Sequence, residues 1–239
     1  TTQILPAPGT VEKAVHFAGS FTRDNSGLFV ITDRDGEFRE IMLYRPASRR
    51  FQALTGAPAW DASDLSVNDN VRAIAARFNV DGRDELRVFD AQTLKEAALP
   101  NPPPGGVNSV RFHRKLPDLA FAVNNAKGPS QILSVNPATG TVEQWTQAHT
   151  PAGIDTSTAP EPQVVRWQSF DGRAISGILY RPPARFTGKR PVMVQIHGGP
   201  EGQAKLGFLG RGSYFVNELG IAVIEPRVRG ASGNGTTSR

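Results

Sequence analysis

Apolar and polar residues alternate in short runs along the first 150 positions, and glycine, proline, asparagine and aspartate break those runs every few residues. A period of two with turn residues between is the pattern of β-strands that bury one face and wet the other. Three stretches superimpose. The first starts at Phe21 and predicts strands over 28–32, 41–44 and 51–54. The second starts at Leu65, with strands over 71–77, 85–89 and 94–99. The third starts at Phe112, with strands over 119–123, 131–135 and 141–145. The starting residues lie 65 − 21 = 44 and 112 − 65 = 47 positions apart. Repeats of about 40 to 50 residues holding four short strands are what propeller blades look like in sequence. A β-sandwich with evenly spaced strands is the alternative, but it does not require copies that agree in anchor, strand and turn positions. Three blades do not close a ring, because propellers usually have about 4 to 8. Either earlier blades precede Thr1 or the array is open.

The pattern changes after residue 147. Positions 148–163 are small, polar and proline-rich with no apolar period, and read as a linker. Strands are then predicted over 164–170 and 174–180, joined by the hairpin dipeptide Asp171-Gly172. Positions 191–196 and 221–224 are continuous apolar strands suited to burial on both faces. Between them 213–219 reads as a helix closed by Gly220. Strand, helix, strand in this order makes a βαβ unit with a partly parallel sheet. The expected organisation is therefore β-propeller blades over 1–147, a linker over 148–163, and an α/β domain over 164–239.

Composition narrows the function classes. Hydrophobic residues make up 38% and charged residues 21%, which suits a soluble globular chain with a sizeable core. No apolar run approaches the roughly 20 residues of a membrane span, and no signal-peptide pattern stands at the N-terminus. The chain has no cysteine, which excludes disulfides and thiolate metal sites and leaves a cytoplasmic or a periplasmic location open. The net charge of +5 invites a nucleic-acid reading, but the basic residues are scattered and Arg49-Arg50 is the longest cluster, so no nucleic-acid partner is expected. No cofactor and no metal is expected either.

The chemistry concentrates in His197-Gly198-Gly199-Pro200, at the C-terminal end of a buried strand, where open α/β sheets bind ligands. Glycines there let a backbone N–H face an incoming oxygen. Such a donor stabilises the oxyanion of acyl transfer by about 3 kcal/mol. A plain Gly-Gly-Pro turn without chemistry is the other reading of these four residues.

Four motifs in order carry a resemblance. Arg166-Trp-Gln-Ser-Phe-Asp171-Gly172, Ile175-Ser-Gly-Ile-Leu-Tyr180-Arg-Pro-Pro183, His197-Gly-Gly-Pro-Glu201-Gly202 and Arg229-Gly-Ala-Ser-Gly-Asn-Gly235 together resemble the opening of the catalytic domain in the prolyl oligopeptidase family of serine peptidases. The acylaminoacyl-peptidase and dipeptidyl-aminopeptidase branch is the nearest. The resemblance implies the last three blades of a β-propeller followed by the N-terminal part of an α/β-hydrolase domain. It implies a peptide substrate, an oxyanion donor at the Gly199 N–H, and His197 lining the site. Gly198, Pro200 and Arg229 are the implied substrate-side residues, with a structural role for Arg229 standing beside that one.

The nucleophile is not found. The nearest approach to Gly-x-Ser-x-Gly is Gly230-Ala-Ser232-Gly-Asn234, which ends in Asn, and no Asp or His follows it. The hydrolase order is Ser, then Asp or Glu, then His. The resemblance therefore places the triad beyond Arg239, the chain alone is expected to be inactive, and the missing C-terminal part of the hydrolase domain is an expected partner. A non-catalytic propeller module that binds proteins, and an esterase on the same fold, are the competing readings.

Overall fold

In the computed structural model the described residues are 5, 14–54, 56–68, 70, 72–100, 105–150, 152–159, 161–199, 202–231 and 233. They form four sheets of four strands each. The first sheet is an antiparallel meander of β1 (His16–Phe21), β2 (Leu28–Thr32), β3 (Glu40–Arg45) and β4 (Arg50–Ala53). β5 (Asp61–Asn68), β6 (Ala73–Val80), β7 (Arg83–Asp90) and β8 (Glu96–Ala97) form the second. The third is built from β9 (Gly106–Phe112), β10 (Leu119–Asn125), β11 (Gly128–Val135) and β12 (Val142–Gln144). Three successive meanders of this kind are consistent with propeller blades.

The strand period explains how the sheets stack. On β6, Ile74, Ala76 and Phe78 face the first sheet and join Phe29, Ile31, Ile41 and Leu43 in one core. Ala73 and Ala75 point the other way and join Val107, Val110, Leu119 and Phe121. The middle sheet is thus buried on both faces, which is why β6 reads as an almost unbroken apolar run. Two polar side chains, the buried Asn68 and the exposed Arg111, tie the second and third sheets at their edges. Asn68 donates through Nδ2 to the carbonyls of His113 at 3.1 Å and Leu116 at 2.8 Å, and Arg111 Nη1 lies 3.1 Å from both Asp64 oxygens.

One register differs from the sequence reading. Phe21, Asn68 and Phe112 end the first strand of the three sheets. The residue equivalent to Phe21 in the second copy is therefore Asn68, three positions past Leu65. Apolarity misled here, because Leu65 is buried whereas Phe21 is exposed.

The fourth sheet has the order β13–β14–β16–β15, from β13 (Gln163–Gln168), β14 (Ala174–Tyr180), β15 (Val192–Val194) and β16 (Ala222–Pro226). β13, β14 and β16 pair antiparallel, whereas β15 and β16 pair parallel, Met193 opposite Val223. The connection between the parallel strands carries a single-turn helix, α1 (Ser213–Asn217), whose Val216 packs on Ile178, Tyr180 and Val223. Gly220 follows with φ +63°, and Ile221 N donates to Phe215 O at 2.9 Å, which closes the helix end. β15 does not have the burial expected of it: Val192, Val194 and Ile196 are 58%, 59% and 63% exposed. It lies at the edge of the sheet, so among the described residues no strand covers its outer side. The stretch before this sheet is tethered to the third one, since Lys127 Nζ donates to Ser157 O at 3.2 Å and Ala159 O at 2.8 Å.

Candidate functional site

The parallel pair positions the glycine segment. Gln195 N donates to Ile224 O at 2.9 Å, and Gln195 Nε2 donates to Glu225 Oε1 at 2.8 Å. His197, Gly198 and Gly199 then leave the C-terminal end of β15. Gly199 has φ +113°, a conformation that a Cβ disfavours. The chain curls back on itself here, because a Cβ at Gly202 would press on Gly198 O and on His197 Nδ1. His197 Nδ1 lies 3.3 Å from Gly198 O, and its Nε2 is buried with no hydrogen-bond partner among the described residues. Among the described residues His197 meets neither a serine hydroxyl nor a carboxylate, so no catalytic triad is assembled around it. Pro200 and Ser232 lie outside the described residues.

Beneath the strand, Tyr180 donates to Gly207 O at 3.1 Å; burial, with Glu225 nearby, pushes its phenol far above the usual range. Glu225 is itself raised by burial.

Arg229 lies three residues past the end of β16. Its Nη1 donates to Asp171 Oδ2 at 2.7 Å, and its guanidinium lies 4.3 Å above the Phe170 ring. The Asp171 carboxyl stays below its ordinary value: a desolvation push upward is outweighed by the Arg173 N–H and by the Arg229 charge. Arg229 lines a cleft of about 610 Å³ together with Phe38, Trp60, Asp81 and Arg166, and residues 197–199 do not line it.

A second feature is absent from the sequence reading. The two-residue turn between β6 and β7 is Asp81-Gly82, with φ +46° and +76°, the pair of left-handed residues a tight hairpin needs. This turn docks on the fourth sheet. Arg227, whose side chain is fully buried, donates from Nη1 to Asp81 Oδ1 at 2.5 Å, from Nε to Ala204 O at 3.2 Å and from Nη1 to Ser176 Oγ at 3.2 Å. Arg166 also reaches Asp81. Burial pushes the Arg227 guanidinium below its ordinary value, Asp81 draws it back up, and Arg166 adds to the downward push. A side chain at Gly82 is disfavoured, because a Cβ there would overlap the Arg227 guanidinium. Nearby, Leu206 N donates to Gly82 O at 3.0 Å, and Lys205 Nζ contacts both oxygens of the buried Asp84 at 3.0 and 2.8 Å. The Asp-Gly dipeptide was a visible hairpin signal; that its aspartate would meet an arginine far along the chain was not.

No group of three metal-binding side chains occurs among the described residues. No helix among them is long and apolar enough to cross a membrane.

The chain matches no protein-family model and no curated protein. Its fold is similar to solved structures of peptidases. A prolyl endopeptidase structure superimposes with a TM-score of 0.78 at 16% identity, over 97% of this chain and 35% of that one. A puromycin-hydrolyzing peptidase of Mycobacterium tuberculosis gives 0.79 at 22% identity, over 95% and 35%. Prolyl oligopeptidase B from Galerina marginata, bound to a 25mer macrocyclization substrate, gives 0.80 at 15% identity, over 94% and 31%. The likeness is one of fold. The chain spans about a third of the length of the structures it matches.

Proposed function

We propose that these residues form part of a serine peptidase of the prolyl oligopeptidase type, within the acylaminoacyl-peptidase and dipeptidyl-aminopeptidase branch. In this reading residues 1–147 contribute the C-terminal blades of a propeller, 148–163 connect, and 164–239 open an α/β-hydrolase domain. The substrate is a short peptide. A serine supplied by the rest of the hydrolase domain attacks the scissile carbonyl, and the Gly199 N–H holds the oxygen as it becomes negative. His197, Gly198 and Pro200 line that position, and Arg229 braces the neighbouring loop through Asp171.

The observation that carries the reading is the parallel β15–β16 pair ending on a glycine at φ +113°. Ligands in parallel sheets bind at that end of the strands. The similarity in fold to peptidases supports the same conclusion, as does the exposed apolar edge of β15, which suits a further strand. The test is to treat the natural full-length protein with a fluorophosphonate and to follow hydrolysis of peptide and ester substrates. One labelled serine and faster peptide turnover are expected. No labelling would overturn the proposal, and ester turnover alone would make the protein an esterase.

A further inference from the structure

We infer that Asn79, on β6 of the second sheet, is a positioning residue for the glycine segment 197–199 and acts on it through Gln203. Asn79 has this role only if Gly199 is the oxyanion donor, the reading on which it rests.

The segment needs such a support. At its near end it hangs from Gln195, whose N–H donates to Ile224 O at 2.9 Å. Among the described residues, the next backbone N–H to meet a backbone carbonyl is that of Leu206, which donates to Gly82 O at 3.0 Å. No ladder holds the chain between these two points, so side-chain contacts decide where the glycines sit. Gly202 packs so closely that a Cβ on it would press on Gly198 O and His197 Nδ1. A shift of the chain at 202–203 is therefore felt at Gly198, beside the donor.

Gln203 is where the second sheet takes hold. Asn79 is buried, and its Oδ1 accepts from Gly82 N at 3.0 Å, which fixes the plane of the carboxamide. Its Nδ2 donates to Gln203 Oε1. Gly233 closes the other side of the pair. It has φ +85°, and a Cβ there would overlap the carboxamides of both Asn79 and Gln203. Its N–H donates to Oδ2 of the buried Asp61 at 3.1 Å, and Arg39 N donates to Asp61 Oδ1 at 2.8 Å. The second sheet and the loop after β16 thus enclose the Gln203 amide in a low-dielectric setting, where a hydrogen bond is firm.

Docking of the two sheets does not depend on this contact. Arg227 with Asp81, Lys205 with Asp84 and Leu206 with Gly82 already join them. Asn79–Gln203 is the tie that lies nearest the glycines in sequence. Its loss should leave the sheets joined and let the glycines move, and a misplacement of about 1 Å can cost about 10²-fold in rate.

The experiment uses the natural full-length protein, its Asn79→Ala and Gln203→Met variants, the double variant, and Gly199→Ala beside them. A fluorophosphonate counts the active sites. For each protein, kcat and KM for a peptide, affinity for the matching peptidyl boronic acid, and melting temperature are then measured. Each of the two single variants is expected to lose about tenfold in kcat per labelled site and in boronate affinity, with KM within about twofold of the parent. The double variant should lose no more than either single one, because both remove the same contact. A tie that only stabilises would lower the melting temperature and leave kcat per site and boronate affinity untouched. That result overturns the inference, as do a loss confined to KM and losses that multiply in the double variant. Gln203→Met keeps the Asn79–Gly82 bond, so it decides should Asn79→Ala not fold. If Gly199→Ala loses boronate affinity while the Asn79 and Gln203 variants keep it, only the role of Asn79 is refuted. If the parent takes no label, or Gly199→Ala binds the boronate like the parent, the oxyanion reading fails and the role of Asn79 falls with it.

Discussion

Arg227 Nη1 donates to Asp81 Oδ1 at 2.5 Å, although 146 residues separate the two in sequence. The pair fastens the second sheet to the fourth, and its two members are not equivalent. Arg227 is fully buried, whereas the Asp81 side chain is 24% exposed and keeps Arg166 as a second partner. Asp81→Ala should therefore cost about 3–5 kcal/mol, because it strands a buried charge. Arg227→Met, which removes that charge and fills its space, should cost no more than about 1 kcal/mol. Urea denaturation of the two variants measures the asymmetry.

Gly82 and Gly172 share a left-handed backbone, with φ +76° and +78°. They differ in surroundings: a Cβ at Gly82 would overlap the Arg227 guanidinium, and one at Gly172 would meet nothing within 4 Å. Gly172→Ala should cost only the conformational term of about 1–2 kcal/mol. Gly82→Ala should cost about 2 kcal/mol more, since the guanidinium must move away from its partners. The difference between the two denaturation midpoints isolates the contact from the backbone strain.

Glu225 gives a pH dependence with a definite sign. Burial raises its carboxyl above the ordinary 4.5, so the folded chain holds this proton more tightly than the unfolded one. The resulting stability is fully present below 4.5 and is lost as pH rises through the folded value. Glu225→Gln keeps an acceptor for the Gln195 amide and has no charge to bury. It should raise the melting temperature at pH 8 and leave it unchanged at pH 4, as thermal melts of both proteins at both pH values would reveal.

Asp24 runs the opposite way. The Thr22 hydroxyl, the Ser26 hydroxyl and the Ser26 N–H all donate to it, and they lower its carboxyl to about 2. Its contribution is present above the ordinary 3.8 and disappears as pH falls through about 2. An NMR titration of the Asp24 side-chain carbon should give a midpoint near 2, and Asp24→Asn should be less stable than the parent at pH 6 but equal to it well below pH 2.

Much of the strand pattern was legible in sequence because a period of two records which face of a strand is buried. Leu86 and Val88 against Glu85 and Arg87 on β7 could be separated in this way. The same pattern does not say what covers a face. Val192 and Val194 read as doubly buried, yet they lie exposed on an edge strand whose outer side no strand among the described residues covers. Nor could sequence find the Arg227 site. An arginine after a buried strand has no periodic signature, and its partner sits in a turn of another sheet. The glycine segment 197–199 was visible as a motif, and the left-handed Gly199 agrees with the need for glycine there. The contact of Arg229 with the Asp171 hairpin, by contrast, arises only in the folded chain.

The role of Gly199 is tested most directly by the affinity of a peptidyl boronic acid for the natural full-length protein and for its Gly199→Ala variant, beside KM for the matching peptide. Alanine disfavours φ +113°, so the backbone N–H must turn from its position. A donor used only in the transition state should show a loss of about 10²–10³-fold in boronate affinity and in kcat, with KM little changed. Boronate affinity and kcat that match the parent would contradict the assignment of Gly199 as the oxyanion donor.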